Sequence, residues 1–262
     1  MKWISLIAAI LVPTAALSFE TAPSVDDLTL MSGADVVVIG ETHDNPAHHA
    51  VQAQIVTALN PAAMVVEMLT PAQVVELEKD KPGYSAKWEK SGWPDFDMYL
   101  PVFTASNAAI YGAAVPRDVV RDSYTDGVAA HFDGDVVLFG LDQPLPKDQH
   151  DQRIELQFAA HCEALPRESL GGMIEVQRLR DATIAKATLD AIDETGGPVV
   201  IITGNGHARS DWGVPSFLQQ LRPDLSVITI GQAEDGHPPA GGFDVIYDAP
   251  GVDRPDPCDA FK

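Results

Sequence analysis

Short runs of β-branched residues alternate along this chain with longer stretches in which apolar residues recur three and four apart. The runs fall at residues 35–39, 63–67, 113–115, 136–138, 199–203 and 226–230, with a weaker one at 244–247. Several are apolar at every position, the pattern of a strand buried on both faces of a parallel sheet. The stretch 46–59 carries Ala50, Val51, Ile55, Val56 and Leu59 on one helical face, with Asn45 placed to cap it and Pro46 in its first turn. Helical spacing recurs at 72–79, 148–164 and 170–194, and over 95–110 as two helices split by Pro101. The alternation predicts an α/β fold: a mostly parallel central sheet flanked by helices, with helical insertions at about 69–110 and 148–194. At 262 residues, one such domain is expected over 19–262.

Two of the runs end alike. Ile39-Gly40-Glu41-Thr42-His43 and Thr203-Gly204-Asn205-Gly206-His207 both close on Gly-x-x-His. Glycine there lets the chain turn at the strand's carboxyl end, the edge at which open α/β sheets bind ligands. Glu67 ends a third run and Arg117 follows a fourth, so Glu41, His43, Glu67, Arg117 and His207 are the candidate catalytic set. A carboxylate ending an apolar run must be solvated, paired or bound to a cation. His43, Glu67 and His207 suit a divalent ion such as zinc, manganese or cobalt. Without a metal the same groups suit acid–base chemistry, with Arg117 holding an anion. In the stretch 170–194, Gln177 and Asp181 interrupt a face otherwise fit for burial, with Arg180 beside them; with Asn205 they are candidates to orient a histidine. His161 shares a face with Ile154, Phe158, Cys162 and Leu165, which reads as a core histidine, with support of the site as the alternative. His48 and His49 point about 100° apart on a helix, so one is expected in solvent and the other at the rim.

Composition narrows the partners. There are 17 Lys+Arg against 38 Asp+Glu, a formal charge of −21, which argues against nucleic acid and anionic lipid surfaces. Met1-Lys2, an apolar run to Val12, Pro13 and then Ala16-Leu17-Ser18 read as a secretory signal peptide over residues 1–18, which predicts a periplasmic or secreted protein. The run is short for a membrane span, and the mature chain holds none. In an oxidising compartment Cys162 and Cys258 can form one disulfide, tying a Pro/Asp-rich tail to the body.

The stretch Ile39-Gly40-Glu41-Thr42-His43-Asp44-Asn45-Pro46-Ala47-His48-His49 resembles the signature of the ChaN family, proteins tied to bacterial haem and iron uptake. Val66-Glu67-Met68, the segment 160–166, Gln177-Arg178-Leu179-Arg180-Asp181 and the segment 204–215 resemble it too, in order along most of the chain. The wider superfamily includes the Tiki metalloproteases and is similar to erythromycin esterases. The resemblance implies His43, Glu67 and His207 as the inherited site, and haem or another small molecule as ligand. It leaves two functions open: a haem- or iron-binding uptake protein, or a metal-dependent hydrolase of peptides or esters. Haem would be held non-covalently, since no Cys-x-x-Cys-His motif occurs. Tyr99 and Tyr111, near Phe96 and Phe103, are candidate haem ligands. A homodimer is compatible with such binding. Many members are lipoproteins; this chain has no lipobox cysteine and is expected not to be one.

Overall fold

The computed structural model describes residues 20–261; the expected signal peptide lies outside them. Six strands form one sheet: β1 (Val36–Ile39), β2 (Ala63–Val66), β3 (Ala109–Gly112), β4 (Val199–Ile202), β5 (Val227–Glu234) and β6 (Val245–Ala249). Their order across the sheet is β3-β2-β4-β1-β5-β6, and every pairing is parallel. The helices are α1 (Val25–Ser32), α2 (Pro46–Leu59), α3 (Pro71–Lys79), α4 (Ser85–Trp88) and α5 (Phe96–Phe103) in the first half. α6 (Arg117–Asp126), α7 (Lys147–Ala160), α8 (Gly171–Thr195), α9 (Asn205–Ala208) and α10 (Val214–Leu221) follow. No helix of the described residues is long and apolar enough to cross a membrane.

The period-two rule divides the strands between two cores. Val37, Ile39, Met64, Val66, Val200 and Ile202 face one cluster, filled by α2 and the aromatic residues Tyr84, Trp88, Phe96, Tyr99 and Phe103. Val36, Val38, Val65, Val199 and Ile201 face the other, filled by α8 and α10. Asn45 caps α2 by accepting from the Ala47 amide, with Pro46 at the first helical position, as the sequence predicts.

Three elements differ from expectation. The edge strand is Ala109–Gly112 and not 113–115. The helix before it stops at Phe103, so Ala109 to Gly112 are free to pair with β2, and Ala113 and Ala114 donate to Val66 and Leu69 beyond the strand's end. That helix runs through Pro101 as one piece and is not split there. Residues 136–138 form no strand: the Asp135 carboxylate accepts from the Val137 and Leu138 amides in a turn, which leaves Val137 72% exposed.

Cys162 and Cys258 are joined, 96 residues apart. The tail has a second attachment, because Arg254 bonds both Asp44 and Glu234. Replacing both cysteines by serine should lower the unfolding free energy by about 2–5 kcal/mol in denaturant titration. An unchanged midpoint would mean that the Arg254 ion pairs alone fix the tail.

Candidate functional site

β1, β2 and β4 lie side by side at the centre of the sheet. The chain leaves β1 for one side of the sheet, returns in β4 between β2 and β1, and continues in β5 and β6 on the other side. The reversal puts a crevice at the carboxyl ends of β1 and β4, where doubly wound folds bind ligands. The two Gly-x-x-His turns are therefore neighbours. Their glycines serve close approach, since neither has the positive φ of a glycine-dependent turn. A Cβ on Gly204 would stand 3.0 Å from Nε2 of His43, and one on Gly40 would overlap the Asn205 side chain. Each turn makes room for the other. The Asn205 amide donates to the Glu41 carbonyl at 2.9 Å and locks the pair.

Glu67 is the centre of the site. Its Oε2 accepts from the Thr203 hydroxyl at 2.6 Å and the Gly204 amide at 2.8 Å. Its Oε1 stands 3.5 Å from Nε2 of His207. Burial works against the charge, but His207, His43 and these donors outweigh it and hold the carboxyl at about 2. His207 opens toward carboxylates on both sides, because Nδ1 meets Asp181 of α8 at 2.6 Å. Burial opposes its proton too; the Glu67 and Asp181 charges prevail and raise it to about 9. The Asp181 carboxyl is pushed up by its own burial, against the pull of His207.

His43 forms a second dyad. Its Nδ1 meets Glu41 at 2.7 Å, and its ring, 35% exposed, stands edge-on to Trp93 at 4.8 Å. Burial lowers its pKa, but the Glu41 bond and the charges of Glu67 and Glu41 more than reverse this. Glu41 is itself held by donation from Tyr99 at 2.8 Å and Gln52 at 2.7 Å. Two adjoining cavities, of about 410 and 560 Å³, share His43, Gln177 and His207. Glu41, Asp181, Asn205, Arg153 and Trp212 border the first. Glu67, Arg117, Arg180 and Trp93 border the second. Arg117 begins α6, where its guanidinium donates to the Ser91 carbonyl and faces the same cavity as Glu67.

Comparison with known proteins places this geometry. Residues 28–218, more than half of the chain, match the family described as haem-binding uptake, Tiki superfamily, ChaN. The chain belongs to this family. Among solved structures, the protein described as cofacial heme binding to ChaN of Campylobacter jejuni is similar over 79% of this chain and 85% of that one, at 18% identity and a TM-score of 0.60. At that identity the likeness is one of fold. The type III effector HopBA1 matches at 12% identity over 85% of this chain and 91% of that one, with a TM-score of 0.46. A succinoglycan biosynthesis protein matches at 13% identity over 83% and 71%, with a TM-score of 0.43. Both scores are too low to carry an argument. No curated protein matches.

Several expectations need correction. Tyr99 is buried, and its hydroxyl serves Glu41, so it supports the His43 dyad and is not placed to bind an iron. Tyr111 lies on the edge strand, donates to Glu194, and borders neither cavity of the site. His48 and His49 are both buried: His48 accepts from the Thr42 amide and meets the Ala233 carbonyl, while His49 meets the His43 carbonyl. Neither faces solvent. His161 caps α7, half-buried, with Nδ1 on the Gln157 carbonyl, and lies outside the site. Asn205 bonds the backbone of Gln232 on both sides, so it fixes β5 and orients no histidine. Nor do His43, Glu67 and His207 form a ligand set: among the described residues no group of three His, Cys, Asp or Glu is arranged to hold a metal ion. Both nitrogens of His207 face carboxylates, and both oxygens of Glu67 already have partners. A metal ligand needs a deprotonated nitrogen with a free lone pair.

Sequence reasoning missed Thr203, Trp93, Trp212 and Arg153. Thr203 carried a signal, a hydroxyl at the end of an apolar run. Trp212 lay within the family-like segment 204–215, while Trp93 and Arg153 carried none, because they reach the site from a loop and from α7.

The pH dependence follows. His207 has its folded pKa raised above the ordinary 6.5 to about 9, so its stabilisation is complete below 6.5 and is lost as pH rises through about 9. Glu67 has its pKa lowered from 4.5 to about 2, so its stabilisation is present above 4.5 and is lost as pH falls toward about 2. Imidazole NMR should find His207 doubly protonated at pH 7, and Asp181→Asn should move its titration midpoint down. A neutral His207 at pH 7 would refute the ion-paired arrangement.

Proposed function

We propose that this protein is exported to the periplasm and binds haem non-covalently in the cleft at the carboxyl edge of the sheet, as part of haem and iron uptake. Membership of the ChaN family supports the ligand. The observation that carries the reading is His43, a histidine one-third exposed at the cleft whose Nδ1 is fixed by a buried carboxylate. That leaves Nε2 as the donor, and a carboxylate behind an imidazole orients it and raises its basicity. The cleft supplies what a flat, apolar, dianionic molecule needs: the indoles of Trp93 and Trp212, apolar surface at Leu156 and Ile174, and arginines beside them. Haem bound there would supply a redox-active iron with an imidazole ligand.

The paired dyads favour a second reading. His207 is held as imidazolium between Glu67 and Asp181, while His43 faces the same space with a carboxylate behind it. Histidines poised differently suit acid and base roles in ester or peptide hydrolysis, with His43 taking a proton from water and His207 giving one to the leaving group.

Purified protein titrated with haemin should give a saturable Soret shift, and His43→Ala should weaken the binding and alter the band. No shift, together with turnover of an activated ester that His43→Ala abolishes, would decide for hydrolysis.

A further inference from the structure

Arg153, on α7, is a buried charged group of the cleft wall that the dyads do not use. It is 8% exposed, and its Nε has no hydrogen-bond partner. The guanidinium donates to the Trp212 carbonyl at 3.3 Å and stands 5.0 Å from the Trp212 ring. No carboxylate among the described residues pairs with it. Its cationic neighbours differ. Arg178 is paired with Glu175 at 2.8 Å and also donates to the Gly140 and Gln143 carbonyls. Arg209 lies 3.7 Å over the same indole and holds Asp211 through two bonds of 2.6 Å. A buried cation without a counter-charge is costly, and a protein with 38 acidic residues has no shortage of candidates to supply one. Here none is in contact with it: Asp181 and Asp211 act on it only from beyond ion-pair distance, and the side chain borders the cavity that also holds His43 and His207.

We propose that Arg153 is an anion-binding residue of the cleft, whose unpartnered Nε takes a carboxylate of the bound ligand, with Trp212 beneath the guanidinium as its platform. The inference rests on the haem reading, in which the carboxylate is a haem propionate. The ligand's charge then replaces the missing internal partner. A planar guanidinium with two N–H groups on one edge matches a carboxylate in two parallel bonds, a geometry that lysine cannot reproduce.

The test compares haemin with its dimethyl ester, in which both carboxylates are blocked, on the unaltered protein, Arg153→Met and Arg153→Lys. Arg153→Met should weaken haemin binding roughly ten- to a hundredfold, the range of a charge-assisted contact, with Arg153→Lys between. The ester should bind the unaltered protein and Arg153→Met equally, which also shows that the variant cleft is intact. Ligand-free Arg153→Met should melt no lower than the unaltered protein, because it loses an unpaired buried charge. Equal haemin affinity in Arg153→Met, an ester as tight as haemin, or a clear drop in the melting point of the ligand-free variant would each overturn the assignment. Failure of the unaltered protein to bind either form is a different result: it removes the haem reading and the inference with it.

Discussion

A carboxylate buried at the end of a central strand constrains everything around it. Glu67 is buried and held ionised, and the polar groups around it can be read as a response to that charge. Thr203 and Gly204 donate to one oxygen, and His207 faces the other. His207 in turn needs Asp181, which requires α8 to cross the end of the sheet at that height. His43 needs Glu41, and Glu41 needs Gln52 of α2 and Tyr99 of α5. Removing one member of a buried charged pair typically costs about 3–5 kcal/mol. A domain is stable by only about 5–15 kcal/mol in total. The arrangement is therefore nearly all-or-none, with few intermediate versions that would still fold.

The acidic surface and an anionic ligand are compatible because they act at different ranges. Exposed charges are screened beyond about 8–10 Å in physiological salt. A ligand carboxylate at Arg153 would be met at contact and out of bulk water, where the same charge counts for several times more. The net charge of −21 slows the approach of an anion, while the local field within the cleft decides whether it stays.

Much of this was legible in the sequence, for identifiable reasons. β1, β2 and β4 are apolar at every position, a pattern that parallel burial alone explains, and Asn45-Pro46 marks the start of α2 by its chemistry. The edge strand was harder, because only Ile110 and Gly112 of β3 turn inward and the helical spacing before it overran. Residues 136–138 are as apolar as a strand, yet one Asp135 side chain captures their amides. The dyads were half visible. Gly-x-x-His announced His43 and His207, whereas the roles of Tyr99 and Arg153 depend on partners 58 and 59 residues away. Aromatic character alone made Tyr99 look like an iron ligand; only its contact with Glu41 shows what its hydroxyl does.

The two Gly-x-x-His turns are alike in sequence and unlike in state, and that difference is what gives the cleft a direction. His43 takes its carboxylate from Glu41 in its own turn, so the dyad is local and the ring can stay near the surface. His207 takes its carboxylate from α8, 26 residues earlier in the chain, so the ring is drawn inward and lies between two anions. A symmetric site would treat both ends of a ligand alike. Here one imidazole is accessible and the other is held as a buried cation, with Glu67 between their fields. A ligand entering beside His43 therefore meets an accessible imidazole nitrogen first and, deeper in, an imidazole whose two nitrogens are already taken by carboxylates. That asymmetry arises because one motif closed on itself and the other on a distant helix.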